Sequence, residues 1–373
     1  MTLPLPRKYA PMEAQLVDEL PVGPAWQYEP KWDGFRCLAF RDGAKVDLMS
    51  KAGKPLTRYF PDLVAMLLQI RAERFVLDGE IIVRKDGELS FDELLLRIHP
   101  AASRVTKLAA ESPATFVVFD LLVDAKGMSF VKKPLSERRT ALETFLVEQV
   151  PPTLDVWLSP ATTKMDTVKR WFRSVGGGLD GVVAKNLARP YQSGTREGMQ
   201  KMKAMRTAEC VVGGFRYASK GKLVGSLLLG LYDEGGLLHH VGFTSNIPND
   251  MKPQLTKQLE KLVKAPGFTG QAPGGPSRWS TERSSEWQPL APKLVVEARY
   301  DHFSGGRFRH GTSFLRWRPD KAPRQCTIAQ VEQEGRSALK LLARWRPSRP
   351  ISARLPRRWP SPDRATPARP RHQ

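Results

Sequence analysis

The sequence predicts an α+β domain, then a smaller domain built mainly of β-strands, then a disordered basic tail. Three observations lead to this order. Apolar runs rich in β-branched residues alternate with helical patterns over residues 1–206, whereas strands with glycine-containing turns dominate residues 207–335. Proline and arginine dominate residues 336–373. A chain of 373 residues has room for two ordinary domains.

The first domain is predicted to mix strands and helices. A helical pattern places Leu142, Phe145 and Leu146 on one face. Ser136 is predicted to be the N-cap of this helix, because a serine side chain can accept hydrogen bonds from the first turn. A second amphipathic helix is predicted over residues 166–175. The predicted strands cover residues 35–40, 75–83, 115–123 and 181–185.

The second domain is predicted to contain short strands with one inserted helix, over residues 249–264. This pattern favours a small Greek-key barrel of the oligonucleotide-binding type. A turn at Gly235 and Gly236 separates two of its strands. The predicted strands cover residues 209–215, 223–232, 237–244, 293–303 and 312–318.

Charge is the strongest feature of the composition. The chain carries 59 Lys and Arg against 38 Asp and Glu, so its formal charge of +21 excludes an acidic scaffold and favours a polyanionic partner. The last 33 residues, from Leu341, hold nine Arg, one Asp and seven Pro, a net +8 that leaves +13 for residues 1–340. These prolines and the scarcity of apolar residues predict a disordered tail, either a nucleic-acid-binding arm or an incidental extension.

The cysteines and the amino terminus bear on the cellular compartment. Cys37, Cys210 and Cys326 lie far apart, without the pairing of a zinc site or a disulfide framework. The chain lacks a signal-peptide core and an apolar run long enough for a membrane span. We therefore expect a protein of the reducing cytoplasm, associated with the nucleoid and not with a membrane.

The most informative segment is EPKWDGFR, residues 29–36, in which Lys31 stands two residues before Asp33. A lone KxDG occurs often by chance. A lysine becomes a nucleophile only when its neutral amine is populated, through burial or nearby cations. The rest of the sequence should then supply those neighbours.

Further motifs follow in order along the chain. Taken singly, each has an ordinary structural explanation, such as a strand-end carboxylate, a core aromatic or a solvated lysine edge. As an ordered series they favour one active site. Lys201 and Lys203 share a face if their segment is extended. The series consists of Glu80 in VLDGE, Phe119 and Asp120 in FVVFDLL, Asp180 and Lys185 in LDGVVAK, and Lys201 and Lys203 in MQKMK.

This series resembles the nucleotidyltransferase motifs of ATP-dependent DNA ligases. EPKWDGFR, LDGVVAK and the late RFRHGTSFLRWRPDK are most similar to the small bacterial ligase C type and to the ligase domain of bacterial end-joining enzymes, over residues 10–330. The resemblance implies a nucleotidyltransferase domain (ATP-grasp-like, DNA ligase) followed by an OB-fold domain. It also implies that Lys31 attacks the α-phosphate of ATP, that AMP passes to a 5′-phosphate, and that the 3′-hydroxyl displaces it to seal a nick.

The resemblance also implies roles for single residues. Lys31 carries AMP, and Lys201 and Lys203 bind its α-phosphate and lower the pKa of Lys31. Glu80 serves the ribose or a metal, and Asp180, where the family usually has Glu, serves Mg²⁺ or Mn²⁺. The remaining nucleotide contacts are Glu29 through its backbone, Phe119 by stacking on adenine, Arg36 near the nucleotide, and Lys51 in the place of a ribose-contacting arginine.

The late motif RFRHGTSFLRWRPDK resembles the barrel-domain motif that orients pyrophosphate and contacts DNA. The resemblance further implies a hinge near residues 202–207, nicked duplex DNA as substrate, and a monomer. A repair polymerase or primase-like partner would fit a role in DNA repair. The implied contributors of the late motif are Arg309, Arg316, Arg318, Asp320 and Lys321.

Two alternatives remain open from the sequence. One is a related lysine-nucleotide enzyme, either an RNA ligase or a capping guanylyltransferase; the other is a non-catalytic DNA-binding protein that has kept the fold. Outside the series, His239 and His240 are predicted to be structural or surface residues, and Trp171 and Phe172 to be core residues.

Overall fold

The structure is a computed structural model of the chain and describes residues 3–172, 179–219, 221–274, 286–309, 311–332 and 341. Within these residues, no helix combines the length and the apolar character needed to cross a membrane. The predicted tail, residues 336–373, lies outside the described residues except for Leu341.

The part of the chain up to Lys203 forms a larger and a smaller β-sheet with helices around them, which confirms the predicted mixture of strands and helices. The strands are β1 Gln15–Leu16, β2 Trp26–Trp32, β3 Phe35–Asp42, β4 Lys45–Ser50, β5 Arg74–Lys85, β6 Glu88–Leu89, β7 Ala114–Val123, β8 Val156–Leu158, β9 Leu179–Asn186 and β10 Met199–Lys203. The helices are α1 Pro61–Leu67, α2 Phe91–Leu96, α3 Ala102–Glu111, α4 Leu135–Gln149 and α5 Met165–Phe172, with a 3₁₀ turn at Thr57–Tyr59.

The larger sheet has the strand order β4-β3-β5-β7-β8, and β7 is buried along its whole length. A strand covered on both faces needs a continuous apolar sequence, which is the pattern of β7. Asp120 interrupts that pattern and lies directly opposite Asp78 of β5. Helix α4 contributes Leu142, Phe145 and Leu146 to the core beside this sheet, as predicted.

The smaller sheet has the order β1-β10-β9-β2 and brings the predicted lysines together. Lys31 of β2 and Lys203 of β10 both pair with Gly181 of the central strand β9, from its two sides. Residues paired across antiparallel strands point to the same face. Gly181 has φ +153, and a Cβ there would collide with the carbonyl oxygen of Met202. The glycine therefore permits the close packing of β9 against β10.

The remainder of the described chain forms a second unit of antiparallel strands. Its strands are β11 Arg206–Tyr217, β12 Val224–Tyr232, β13 Leu238–Thr244, β14 Gln288–Pro289, β15 Val295–Tyr300, β16 Phe303–Ser304, β17 Arg307–Phe308 and β18 Ser313–Trp317. Helix α6 covers Lys252–Glu260, and 3₁₀ turns cover Pro323–Gln325 and Ile328–Gln330.

The main sheet of this second unit closes on itself. Its strand order is β13-β12-β11-β15-β18, and a bridge between Thr244 and Thr312 joins the two outer strands. The interior is apolar, with Phe215, Leu229 and Val296 fully buried. The short hairpin of β16 and β17 lies between β15 and β18 in the sequence, and we call residues 301–309 the barrel hairpin.

Each predicted strand and helix overlaps an observed element, and residues 173–175 of the helix predicted over 166–175 lie outside the described residues. The predicted Ser136 N-cap is wrong, because α4 begins at Leu135 and Pro134 occupies the cap position without a side-chain hydrogen bond. The N–H groups of Leu135 and Ser136 donate instead to the carbonyl oxygens of Arg189 and Leu187. A neighbouring loop thus satisfies the first turn that a serine cap would otherwise serve.

Candidate active site

Lys31 lies in a group of acidic side chains, and we call Lys31, Asp33, Glu80 and Asp180 the lysine site. Its Nζ donates to Asp180 Oδ2 at 2.6 Å, and the two side chains are 23 % and 7 % exposed. The turn after Lys31 packs tightly against β5, since a Cβ at Gly34 would collide with the carbonyl oxygen of Ile81. The DG pair of the motif thereby fixes the lysine beside the carboxylates.

The charge state of Lys31 follows from these carboxylates. Burial lowers the pKa of Lys31, but Asp180, Glu80 and Asp33 together raise it above its ordinary value. The prediction that Lys201 and Lys203 lower this pKa concerns only their own contribution, and in this arrangement the carboxylates outweigh it. The strongest of these carboxylate effects comes from Asp180, which accepts from the amine at 2.6 Å.

Two other carboxyls of the lysine site have raised pKa values. Burial raises the pKa of Glu80 to about 8 against the opposing pull of Lys31 and Arg36. Burial and the nearby Asp180 raise the pKa of Asp33 despite its ion pair with Arg309. Asp180 is the exception, because Lys31 and His302 outweigh its burial and lower its pKa. Titratable groups shifted in opposite directions within one site are typical of active sites.

Glu29 and Phe119 share Lys185 as a neighbour. The Glu29 carboxylate is buried and accepts hydrogen bonds from Gln27 Nε2 and from Lys185 Nζ, both at 2.9 Å. The same Lys185 Nζ lies 4.4 Å from the centre of the Phe119 ring. Both carboxylate oxygens of Glu29 are thus engaged by side chains of this protein.

Arg36 is tied to the larger sheet. Its Nε and Nη2 donate to the two oxygens of Asp78 at 2.7 Å, and its guanidinium lies 4.7 Å from the centre of the Phe119 ring. Lys51 is different, since it is half exposed and pairs at 3.2 Å with Glu13 of the amino-terminal segment. The structure therefore places Arg36 with Phe119 and Lys51 at the periphery.

Lys201 and Lys203 lie on one face of β10, as the period-two spacing predicted. Burial, together with the charges of Lys31 and Lys51, lowers the pKa of Lys201. Lys203 instead forms a 2.6 Å ion pair with Asp301 of the barrel hairpin. The charge of Lys31 thus acts on Lys201, whereas Lys203 is paired with an acidic residue of the barrel hairpin.

The barrel hairpin reaches the lysine site. Arg309 pairs with Asp33, and its guanidinium lies 3.4 Å from the centre of the Phe91 ring. His302 lies 3.9 Å from Asp33 and 3.9 Å from Asp180. Ligand atoms of Asp33, Asp180 and His302 lie within 4.8 Å of one another. These residues can offer a divalent cation two carboxylate oxygens and one imidazole nitrogen, and the oxygens are the ligands that Mg²⁺ prefers.

The other predicted residues of the late motif lie away from the lysine site. We call Glu209, Glu297, Arg316, Arg318, Asp320 and Lys321 the barrel charge cluster. Within it, Arg316 donates to Glu297 at 2.6 Å, and Arg318 pairs with Glu209 and Asp320. Lys321 pairs with Glu209 at 2.8 Å. Of the late motif, only Arg309 joins Lys31 among the described residues.

Sequence reasoning missed Asp33, Asp301 and His302 as parts of the site. Asp33 stood inside the quoted motif, and Asp301 and His302 lie six and five residues before the first residue of the late motif, but no spacing rule joins segments so far apart. The weaker predictions hold, since Trp171 is buried in the core and Phe172 packs against it, while His239 pairs with Asp233 at 2.9 Å. All three cysteines are free and buried.

Comparison with known proteins agrees with this geometry. The ATP dependent DNA ligase domain matches residues 11–203, and the ATP dependent DNA ligase C terminal region matches residues 220–321. DNA ligase C2 of Mycolicibacterium smegmatis is 45 % identical over 91 % of this chain and 98 % of its own length. DNA ligase C of Mycobacterium tuberculosis is 44 % identical over 89 % of this chain and 96 % of its own.

A solved structure from work on Lig E DNA ligases shares the fold. It superposes with a TM-score of 0.52 at 16 % identity and covers 83 % of this chain and 99 % of that one. The matches extend across both units, and the lysine site falls inside the first matched domain. The chain belongs to the ATP-dependent DNA ligase family.

Proposed function

We propose that this protein is an ATP-dependent DNA ligase that seals nicks between a 5′-phosphate and a 3′-hydroxyl through AMP bound covalently to Lys31. The observation that carries the proposal is the lysine site itself. A partly buried lysine lies 2.6 Å from Asp180, beside Glu80, with Lys201 and Lys203 on β10, across the central strand β9. Amine, carboxylates and cations together meet the needs of phosphoryl transfer.

The first step forms an N–P bond between Lys31 Nζ and the α-phosphorus of ATP and breaks the bond to pyrophosphate. The amine must lose a proton, and its pairing with Asp180 opposes that loss. Any competing cation on Asp180 would lower the pKa of Lys31. In the second step AMP passes to the 5′-phosphate of the nick, and in the third the 3′-hydroxyl displaces AMP.

We propose the following nucleotide contacts. The Glu29 backbone recognises adenine, Phe119 stacks on it, and Arg36 lies near the ribose and phosphates. Lys201 and Lys203 bind the α-phosphate, which requires Lys203 to leave Asp301. Lys51 would contact the ribose from the periphery by leaving Glu13.

Glu80 and Asp180 are proposed to hold Mg²⁺ or Mn²⁺. Their carboxylate oxygens suit such cations, and the proximity of Asp33 and His302 to Asp180 supports a cation-binding locus. The ion would supply charge neutralisation on the phosphate oxygens. Glu80 must be ionised to bind a cation. Because its pKa is about 8, the ionised fraction of Glu80 changes with pH near neutrality.

The second unit is proposed to be an OB-type barrel that contacts pyrophosphate and DNA. Closure of its sheet between Thr244 and Thr312 supports this fold. We assign residues 1–206 to the nucleotidyltransferase domain, 207–335 to the barrel and 336–373 to a basic tail. Arg309 already reaches the lysine site, whereas the barrel charge cluster would reach ATP or DNA by movement about residues 202–207.

Nicked duplex DNA is the proposed substrate, bound by a cytoplasmic, nucleoid-associated monomer. A relative in Mycobacterium tuberculosis, 30 % identical over 80 % of this chain and 37 % of its own length, is named a multifunctional non-homologous end joining DNA repair protein. That name supports a role in DNA repair, alone or with a repair polymerase or primase-like partner. The formal charge of +21 suits contacts with phosphates that do not depend on sequence.

The proposal is tested by incubating the full chain with α-labelled ATP and Mg²⁺. We expect label on the protein, its loss in Lys31→Ala, and its retention in Lys45→Ala, which changes an exposed lysine of the same domain. Labelling that survives Lys31→Ala would contradict the proposal. Preferential labelling from GTP, or sealing of nicks only in RNA, would move the protein to a different branch of lysine-nucleotide enzymes.

A further inference from the structure

A closed ring of hydrogen bonds lies behind Arg36. Arg36 Nη2 donates to Asp78 Oδ2 at 2.7 Å and to the Met12 carbonyl oxygen at 3.2 Å. The Tyr191 hydroxyl donates to the same Asp78 Oδ2 at 2.6 Å and accepts from the Met12 N–H at 3.0 Å. Tyr191 and Arg36 therefore share both of their partners, a side-chain carboxylate and one backbone residue.

We propose that Tyr191 is a positioning residue for ATP binding and acts through Arg36; this rests on the proposed role of Arg36 at the nucleotide. Asp78 is fully buried, so its two oxygens must be satisfied by protein donors. Arg36 supplies two of those donors, and the Tyr191 hydroxyl supplies the third. The Tyr191 hydroxyl thereby holds the Asp78 carboxylate in place, and this carboxylate in turn orients the Arg36 guanidinium.

Tyr191 also contacts the support of Phe119. The Arg138 guanidinium lies 5.5 Å from the centre of the Tyr191 ring and donates to both oxygens of Asp120, at 2.8 and 2.9 Å. Asp120 directly follows Phe119 on β7, and the Arg36 guanidinium lies 4.7 Å from the Phe119 ring. One tyrosine thus touches the supports of two proposed nucleotide contacts.

Loss of the hydroxyl should affect ATP binding more than the chemistry at Lys31. Without it, Asp78 Oδ2 keeps one donor and the Met12 N–H loses its acceptor. The aromatic ring and its contacts with Arg138 and Tyr9 remain. A hydrogen bond to a charged group is worth roughly tenfold or more in an equilibrium constant. Lys31 and Asp180 lie on other strands and keep their contact.

The experiment measures lysine labelling by ATP in the full chain as a function of ATP concentration. For Tyr191→Phe we expect KM for ATP to rise about tenfold, with kcat within about twofold of the parent protein. Tyr9→Phe is the matched control. It removes the hydroxyl of the neighbouring Tyr9, whose aromatic ring stacks on that of Tyr191 at a centroid distance of 6.2 Å. Tyr9 does not belong to the ring of hydrogen bonds around Asp78, so KM for ATP should not change.

A double-mutant cycle separates positioning from a general structural role. If Tyr191 acts through Arg36, Tyr191→Phe should change KM by less than about twofold in an Arg36→Ala background. Asp78→Asn, which removes the negative charge and replaces one acceptor oxygen by an NH2 donor, should reproduce the KM effect and the same non-additivity. An unchanged KM in Tyr191→Phe, or an equal increase in both backgrounds, would overturn the proposal. Because the parent protein and Tyr9→Phe report labelling in the same assay, that outcome would leave the ligase function in place.

Urea denaturation of each variant completes the test. We expect Tyr191→Phe to unfold cooperatively at a urea concentration close to that of Tyr9→Phe. If Tyr191→Phe does not fold, the hydroxyl is structural and its positioning role is refuted. The Asp78→Asn cycle then shows independently whether the ring of hydrogen bonds acts on Arg36.

Discussion

The lysine site and its surroundings differ sharply from the barrel charge cluster in how their charges are held. In the first domain the pairs are buried: Asp78 is 0 % exposed, and the side chains of Lys185 and Glu29 are 9 % and 3 % exposed. In the barrel cluster, Arg316 is 65 % exposed and Asp320 is 64 % exposed. Both regions contain cations paired with carboxylates, but the first domain includes pairs that are almost fully buried, whereas Arg316 and Asp320 of the barrel cluster are largely exposed.

This difference has a physical consequence for function. A buried ion pair is costly to break because the remaining charge is left without solvent or partner, so the first domain holds one geometry. An exposed pair contributes little and is exchanged readily for another anion. The buried pairs suit a preformed nucleotide site. The exposed pairs suit a surface whose cations must break their ion pairs with carboxylates in order to bind phosphates.

The largest expected difference is in stability. Asp120→Asn leaves the buried Arg138 guanidinium without its carboxylate and should lower the free energy of unfolding by about 3–5 kcal/mol. The matched change in the barrel cluster, Glu297→Gln, removes a partner from exposed Arg316 and should cost at most about 1 kcal/mol. Urea denaturation measures both variants. Similar costs would show that the contrast in burial has no energetic meaning.

The two regions should also differ in their response to pH. Glu80 has a pKa of about 8 because it is buried, and only its ionised form offers two negatively charged oxygens to a cation. For lysine labelling, kcat/KM for ATP should therefore rise about tenfold per pH unit below this pKa and level off above it. Arg318 lowers the pKa of Asp320 to about 2, so the barrel cluster adds no change in this range.

Measurement of kcat/KM between pH 6 and pH 9 checks this prediction, with Glu80→Gln as the comparison. The variant should be slower and should lose the rise attributed to Glu80. A slope that persists in Glu80→Gln would assign the pH dependence to Lys31, whose pKa is also raised.

The contrast also explains what the sequence could predict. Strand positions followed from apolar runs, and the shared face of Lys201 and Lys203 followed from the period of a strand. The ordered motifs identified Lys31 and Asp180, which lie 149 residues apart. Their direct pairing, which raises the pKa of Lys31, depends on side-chain geometry that no motif spacing carries.

The resemblance implied that the late motif approaches the active site, but the residue pairs that join the two units could not be predicted from the sequence. Arg309 and Asp33 are separated by 276 residues, and Lys203 and Asp301 by 98. The late motif was predicted as one functional group, but its strand carries Arg316 to the barrel cluster while the hairpin carries Arg309 to the lysine site. Such a division depends on where a strand begins and on how two domains meet, and neither is encoded locally.

A smaller effect is expected at the contact between the two regions. Asp301→Asn removes the 2.6 Å ion pair with Lys203 and should shift the molecule toward arrangements in which the barrel hairpin leaves the lysine site. A partly exposed pair is worth about 1 kcal/mol, roughly a fivefold change in that equilibrium. Energy transfer between dyes on the two units measures it, with Glu297→Gln as control. Equal transfer in the parent protein and Asp301→Asn would exclude the pair as a domain contact.

The smallest expected effect concerns DNA binding by the exposed barrel cluster. Arg316→Gln removes a cation that is 65 % exposed and free to exchange Glu297 for a phosphate. The slope of log K against log salt for nicked duplex DNA should fall in magnitude by about 0.9, as for one lost phosphate contact. Lys107→Gln is the control, because that lysine pairs with Glu111 within α3 and should leave the slope unchanged. An unchanged slope in Arg316→Gln would mean that the exposed ion pairs stay intact when DNA binds. The ease with which an ion pair breaks would then not determine which cations contact DNA.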